Sequence, residues 1–288
     1  MIAVFKRELN AYFKGIMGYL ASAFLLIFAG IYTMAYNLSG YYANFEYVVS
    51  AISFIYLVAV PVLTMRSVAE EKRSKTDQLL YSLPISMTDV VIGKYLSMLV
   101  VLFVPVAIMG AYPMILSQFG NVSLKVAYGA LFAYFMLGAC LLSIGLFISS
   151  VTESQVASAV ITLVVMLILY FMSSLATFVS TSQEGSMIAL IGCAVIFALF
   201  VLILTRNVLI SMLTLIFTSG GIYLFYLYDP SAFSGLFPKV MESLSVFSRF
   251  DTFIEGVFDV NAIVYYISMI AVFLFMSVQA MEKRRWSA

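Results

Sequence analysis

Val126 to Ser150 reads VAYGALFAYFMLGACLLSIGLFISS, a run that contains no charged side chain. A helix needs about 20 mostly apolar residues to cross a hydrocarbon core about 30 Å thick, so this run alone is long enough to span a bilayer. Working outward, comparable runs lie at about 16 to 38, 47 to 65, 95 to 117, 156 to 179, 187 to 205, 208 to 228 and 262 to 281. Together they predict an all-α, polytopic membrane helical bundle of about eight transmembrane helices. Pro61, Pro105 and Pro113 fall inside the second and third runs, where membrane helices tolerate kinks because neighbours re-satisfy the freed backbone groups.

Composition agrees. Of 288 residues, 64% are hydrophobic and 10% charged, against roughly 45–50% apolar and 25% charged in a soluble domain. No soluble interior could hide that much apolar surface, and no stretch is left for a separate soluble domain. The net charge of +1 points to neither a nucleic-acid partner nor a strongly acidic one. Histidine is absent, which removes the usual proton shuttle and the commonest metal ligand. Cys140 and Cys193 sit singly in apolar runs and read as small core residues without a disulfide framework. The run from Ile16 is longer than the apolar core of a cleaved signal and reads as a retained first span.

The basic residues set an expected orientation, because cytoplasmic loops carry the excess of Lys and Arg. With the amino terminus inside, Lys6, Arg7, Lys14, Arg66, Lys72, Arg73, Lys75, Lys94, Arg206, Lys283, Arg284 and Arg285 face the cytoplasm, and only Lys125, Lys239 and Arg249 lie outside. Both termini are then cytoplasmic and the number of spans is even. The division between the sixth and seventh spans rests on a very tight turn at Arg206 and Asn207.

Three segments are not spans. In residues 1–15, Ile2, Phe5, Leu9, Tyr12, Phe13 and Ile16 share one helical arc while Lys6, Arg7, Asn10 and Lys14 oppose it, which predicts an interfacial helix with its basic face toward anionic headgroups. Residues 66–94 form a cytoplasmic segment. There Ser74 and Asp77 resemble a capping box, Pro84 ends the helix they begin, and Thr76, Leu79, Leu80 and Leu83 recur at helical spacing. Lys75, Asp77, Gln78 and Tyr81 lie on the polar face of that short helix. Ser86 and Asp89 repeat the capping pattern at the start of the third span. Residues 229–261, with rings alternating with charges, read as an external interfacial segment. The whole chain is thus one transmembrane domain: 1–15 interfacial, 16–65 spans one and two, 66–94 cytoplasmic, 95–228 spans three to seven, 229–261 external, 262–281 span eight and 282–288 a cytoplasmic tail.

Several chemistries are missing. There is no GxxxxGK[ST] phosphate loop, no HExxH and no GxSxG elbow, so the chain is not expected to be an enzyme or to bind a metal or cofactor. Glu70-Glu71 reads as a solvated charge run. The span interiors hold Ser, Thr, Asn, Gln, Tyr and aliphatic residues but no ionisable acid or base of the kind that couples ion gradients to transport. If the chain moves a substrate, energy arrives from elsewhere. The other class the residues allow is a non-transporting membrane assembly or signalling protein that binds a cytoplasmic partner through the same segment.

The stretch Thr64 to Ser86, TMRSVAEEKRSKTDQLLYSLPIS, followed by Ile92-Gly93-Lys94-Tyr95, resembles the type-2 ABC exporter permeases, most closely the branch of gliding-motility and copper-enzyme-maturation permeases. The echoes continue in Phe5-Lys6-Arg7-Glu8-Leu9, Thr152-Glu153-Ser154-Gln155, Ser248 to Phe253 with Gly256 to Asp259, and Glu282 to Trp286. The resemblance implies a permease subunit of an ATP-binding-cassette exporter in a bacterial plasma membrane. It would pair with a second permease chain, a copy of itself or a different one, and with two cytoplasmic ATPase subunits that carry ATP and Mg. It makes the helix around Lys75, Thr76, Asp77, Gln78, Leu79, Leu80 and Tyr81 the coupling helix that docks on the ATPase, with Glu70, Glu71 and Arg73 in the supporting loop. Two departures stand out: the family's usual core has six spans, so residues 187–228 look like an added hairpin, and Glu255 stands where relatives often carry a basic residue.

Overall fold

The computed structural model of the chain describes residues 1–76 and 85–287, is 84% helix, and shows no strand among the described residues. Among the described residues eight helical stretches, one of them a stack of shorter helices, are long and apolar enough to cross a membrane. The chain divides into two compact units, Met1–Leu169 with Val246–Ala288, and Tyr170–Ser245.

Unit 1 begins with α1 (Ile2–Lys14) and α2 (Ile16–Thr33), the latter ending in a π-helical turn, Met34–Ser39. The second apolar run is not one helix but a stack: α3 (Glu46–Ile52), a 3-10 turn (Ser53–Ile55), α4 (Tyr56–Thr64) and, after a turn, α5 (Ala69–Arg73). Pro61 sits within α4 and does not mark the break. The third span, α6 (Met87–Met109), starts earlier than its apolar run because Ser86 caps it, its Oγ accepting from the Asp89 N–H at 3.1 Å. It stops four residues before Pro113, whose ring would collide with the Met109 carbonyl in a continuous helix, and the short α7 (Ala111–Leu116) follows. Then come α8 (Leu124–Val151) and α9 (Gln155–Phe178); after unit 2, α13 (Ser248–Ile254) and α14 (Val260–Ser287) complete the bundle.

The centre of unit 1 is α8, against which α3, α4, α5, α6, α13 and α14 all pack. Its buried face is built from small residues, Ala127, Ala130, Ala133, Gly138, Ala139 and Gly145 among them. In lipid there is no hydrophobic drive between helices, so close backbone approach and hydrogen bonds replace it. At Gly145 a Cβ would lie 2.5 Å from Thr64 Oγ1, so only glycine admits α4 there. Tyr56 stacks on Tyr134 with centroids 4.4 Å apart, and its hydroxyl donates to the Tyr134 carbonyl at 3.0 Å. The Tyr95 hydroxyl donates to the Ala139 carbonyl at 3.1 Å. Each phenol thereby gives its donor to a backbone acceptor in a dry core.

Unit 2 holds α10 (Gln183–Thr205) and α11 (Val208–Tyr228), a 3-10 turn (Pro230–Phe233) and α12 (Leu236–Leu244). The tight turn expected at Arg206 and Asn207 is present: Arg206 adopts φ 52°, and the Asn207 side chain caps α11 by accepting from the N–H groups of Leu209 and Ile210 at 3.0 and 3.4 Å. Beyond α11, Asp229 Oδ1 accepts from Ser231 and Ala232 N–H, and Phe233 is buried against Phe225 and Tyr226.

Candidate functional site

The segment that the sequence singles out leaves unit 1 at the end where α1 lies. α5 carries Glu70, Glu71, Lys72 and Arg73 and finishes in a turn through Ser74, Lys75 and Thr76, with Lys75 in the left-handed region at φ 57°. The Ser74 hydroxyl donates backward to the carbonyl of Glu70 at 2.9 Å, so it closes α5. Lys75 and Thr76 are exposed at the end of this turn. Asp77, Gln78, Leu79, Leu80 and Tyr81, the rest of the expected docking helix, lie outside the described residues, as does the forward half of its capping box.

Two fastenings hold the base of the segment. The first leads to α8. Ser149 Oγ accepts from the N–H groups of Val68 and Ala69 at 3.2 and 3.1 Å, which satisfies two of the donors that open α5, and the buried Lys72 ammonium donates to the Ser150 carbonyl. The second is ionic. Lys94 of α6 is only 1% exposed, yet its ammonium lies 2.9 Å from Glu71 Oε1, 3.2 Å from Glu8 Oε1 and 2.6 Å from the Ser67 carbonyl. Arg7 closes the group, its Nη2 2.6 Å from Glu8 Oε1 and 2.8 Å from Glu71 Oε1. Burial works against the Arg7 charge, but Glu8 and Glu71 outweigh it and raise its pKa. Glu70 pairs separately with Arg66 at 2.7 Å, and Arg73 is exposed outside the cluster. At the same end Arg284 meets Glu153 at 2.8 Å.

α1 is therefore more than an amphipathic surface helix. Its Lys6, Asn10 and Lys14 are exposed as expected, but Arg7 turns from the basic face into the ion group. The face that packs on the bundle runs through Val4, Glu8 and Tyr12, at i, i+4 and i+8. Tyr12 is buried, donates to the Leu63 carbonyl at 2.9 Å, and has its phenol pKa pushed up by burial and then by Glu8. Glu70 and Glu71, expected as solvated charge or support, are split: Glu71 belongs to a buried ion group and Glu70 to a surface pair. Glu8, Lys72 and Ser149 are participants that sequence patterning did not single out. Lys94 carried a signal, since it is a lone cation about two turns inside a membrane-length helix.

Among the described residues no cluster of His, Cys, Asp or Glu could hold a metal ion. A chain with eight membrane-length helices packed in this way is a multi-pass membrane protein. The chain belongs to the ABC-2 family transporter proteins, whose family model matches residues 20–284 and so runs through the hairpin of α10 and α11 as well. The match supports an ABC-2 type permease and goes no further toward the gliding-motility branch. No curated protein matches the chain.

Proposed function

We propose that this chain is the permease subunit of an exporter energised by separate ATPase subunits, one docking on the helix of each permease chain around Lys75 to Tyr81. The observation that carries the reading is the double fastening of that helix's base. A displacement applied beyond Ser74 meets α8 through Ser149 and Ser150, and α6 and α1 through Lys94. A segment meant only as a solvent loop has no need of three anchoring helices. The family membership supports a partner ATPase, since membrane components of this family generally pair with one. The excess of basic residues at the loops and ends assigned to the cytoplasm supports a plasma-membrane protein with both termini inside. ATP and Mg belong to the partner, and a second permease chain completes the path for substrate.

The test is a chain carrying Tyr81→Asp and Gln78→Arg, substitutions at the positions that the sequence pattern makes the polar face of the docking segment. It inserts in the membrane at the wild-type level but no longer co-purifies with the ATPase. Retention of the ATPase by this variant overturns the docking model.

A further inference from the structure

The pair Gly93-Lys94 has a structural logic that involves α1 as much as the segment. At Gly93 the backbone of α1 closes on α6: a Cβ there would lie 3.1 Å from Val4 Cβ and 3.2 Å from both the Met1 carbonyl oxygen and the Phe5 nitrogen. Glycine provides the seat. One residue on, the Lys94 ammonium has three donors, and three acceptors meet it: Glu8 of α1, Glu71 of α5 and the Ser67 carbonyl in the turn that leads into α5. Its capacity is filled by three different parts of the chain, at 1% exposure. Arg7 then joins the same two carboxylates from the α1 side. The fastening through Ser149 and Ser150 ties the segment to α8.

We infer that Lys94 is a positioning residue that pins α1 and the base of the docking segment into one moving body, so that α1 takes part in the stroke delivered by the ATPase. This rests on the proposed function for the source of the stroke, but the pin itself is independent of it. A buried ammonium shared by two carboxylates is costly to leave half-paired. The two elements that share it accordingly move together or release together.

The experiment uses the full chain in membrane vesicles with the cytoplasmic face outward, in two arms. In the first, trypsin cleavage after the exposed Lys14 reports release of α1. Lys94→Met raises the cleavage rate about tenfold, Glu8→Gln, which keeps an acceptor but drops the charge, gives an intermediate rise, and Ser149→Ala, which cuts only the hydroxyl's bonds to the α5 N-terminus, gives none. In the second, the ATPase that co-purifies with the wild-type chain is rebound to each variant. Lys94→Met binds it within about twofold of wild type, while ATP turnover per bound ATPase falls about fivefold, a split that simple loss of folded protein does not produce. Unchanged cleavage in both Lys94→Met and Glu8→Gln overturns the pin. Faster cleavage with unchanged turnover overturns the part given to α1 in the stroke. Failure of any ATPase to bind the wild-type chain overturns the docking reading instead, and the cleavage arm still decides the pin. Should Lys94→Met fail to accumulate, Glu8→Gln carries both arms.

Discussion

α8 and α11 are both uninterrupted apolar helices of span length, yet 78% of the central stretch of α8 is buried within the protein, whereas on α11 only Ser211 is. The difference lies in the small and polar residues. On α8, glycine, alanine and serine form a surface into which Tyr56, Thr64 and the α5 N-terminus fit. On α11 the Ser211 hydroxyl reaches α10, donating to the Ala198 carbonyl at 2.6 Å, but the hydroxyls beyond it turn back on their own helix, Thr214 to the Ser211 carbonyl at 2.8 Å, Thr218 to that of Thr214 at 2.7 Å and Ser219 to that of Leu215 at 2.6 Å, and its outward side is large and apolar. Hydropathy says that a helix can enter the bilayer; side-chain size and free hydrogen-bonding capacity say whether another helix will meet it there. One surface is built for protein and the other for lipid or a partner.

That contrast can be broken at several points, and the largest effect is expected at the ion group beneath α8's neighbours. Lys94→Met leaves Glu8 and Glu71 without their shared ammonium and should cost about 3–5 kcal/mol, the range for breaking a buried pair from one side, read as a lowered midpoint in denaturant titration of micelle-solubilised protein. A loss under about 1 kcal/mol would mean that the group is wet in solution. Next comes Gly145→Val: its Cβ would press on Thr64, which is buried, and the expected cost is about 1–3 kcal/mol from overpacking. Tyr56→Phe removes one hydrogen bond and leaves the stacked ring, for a loss of about 1 kcal/mol by the same titration. On α11, Phe217→Leu at a 78% exposed position should stay within about 0.5 kcal/mol. A much larger loss there would show that a protein surface, and not lipid, covers the hairpin.

The smallest effect is a pH dependence at the end of α11. The exposed Asp229 is held below the usual carboxylate range by the Ser231 hydroxyl, 2.5 Å away, and then by the Ala232 and Ser231 N–H groups. A lowered folded pKa contributes stability that is present above the unfolded value of about 3.9 and is lost as pH falls through the folded value. Acidification below about pH 4 should therefore loosen the turn through Ser231, seen as faster amide exchange at Ser231 and Ala232, and Asp229→Asn should remove that acid dependence. Exchange that is equally fast at neutral pH would show that the turn gains nothing from the carboxylate.

Much of the fold was legible in the chain. The apolar runs locate all eight membrane-length helices, the Ser86 cap is where its pattern put it, and the two-residue turn at Arg206 and Asn207 joins α10 to α11. The broken second span was not legible, because the 3-10 turn at Ser53–Ile55 lies away from Pro61 and carries no proline or glycine of its own. The candidate site was only half legible. The loop motif drew attention to Glu70, Glu71 and Arg73, but nothing in their spacing separates Glu71, paired with Lys94, from the exposed Arg73 on a five-residue helix. Glu8 looked like one more charge on an amphipathic helix. Its partner is 86 residues away, and helical periodicity reports which residues share a face without saying which face is covered.

By itself, then, the sequence determined that this is an all-helical membrane protein and the approximate places where its chain crosses. These follow from local quantities, run length, hydropathy and charge, which act on each helix separately in the bilayer. Tertiary structure alone decided that α8 is the hub of its unit, that α1 packs through Val4, Glu8 and Tyr12, at one edge of its apolar stripe, and that Lys94 joins α1, α5 and α6. Those outcomes depend on close approach between helices distant in sequence, and in lipid such approach is governed by the fit of glycine seats and the pairing of the few buried charges.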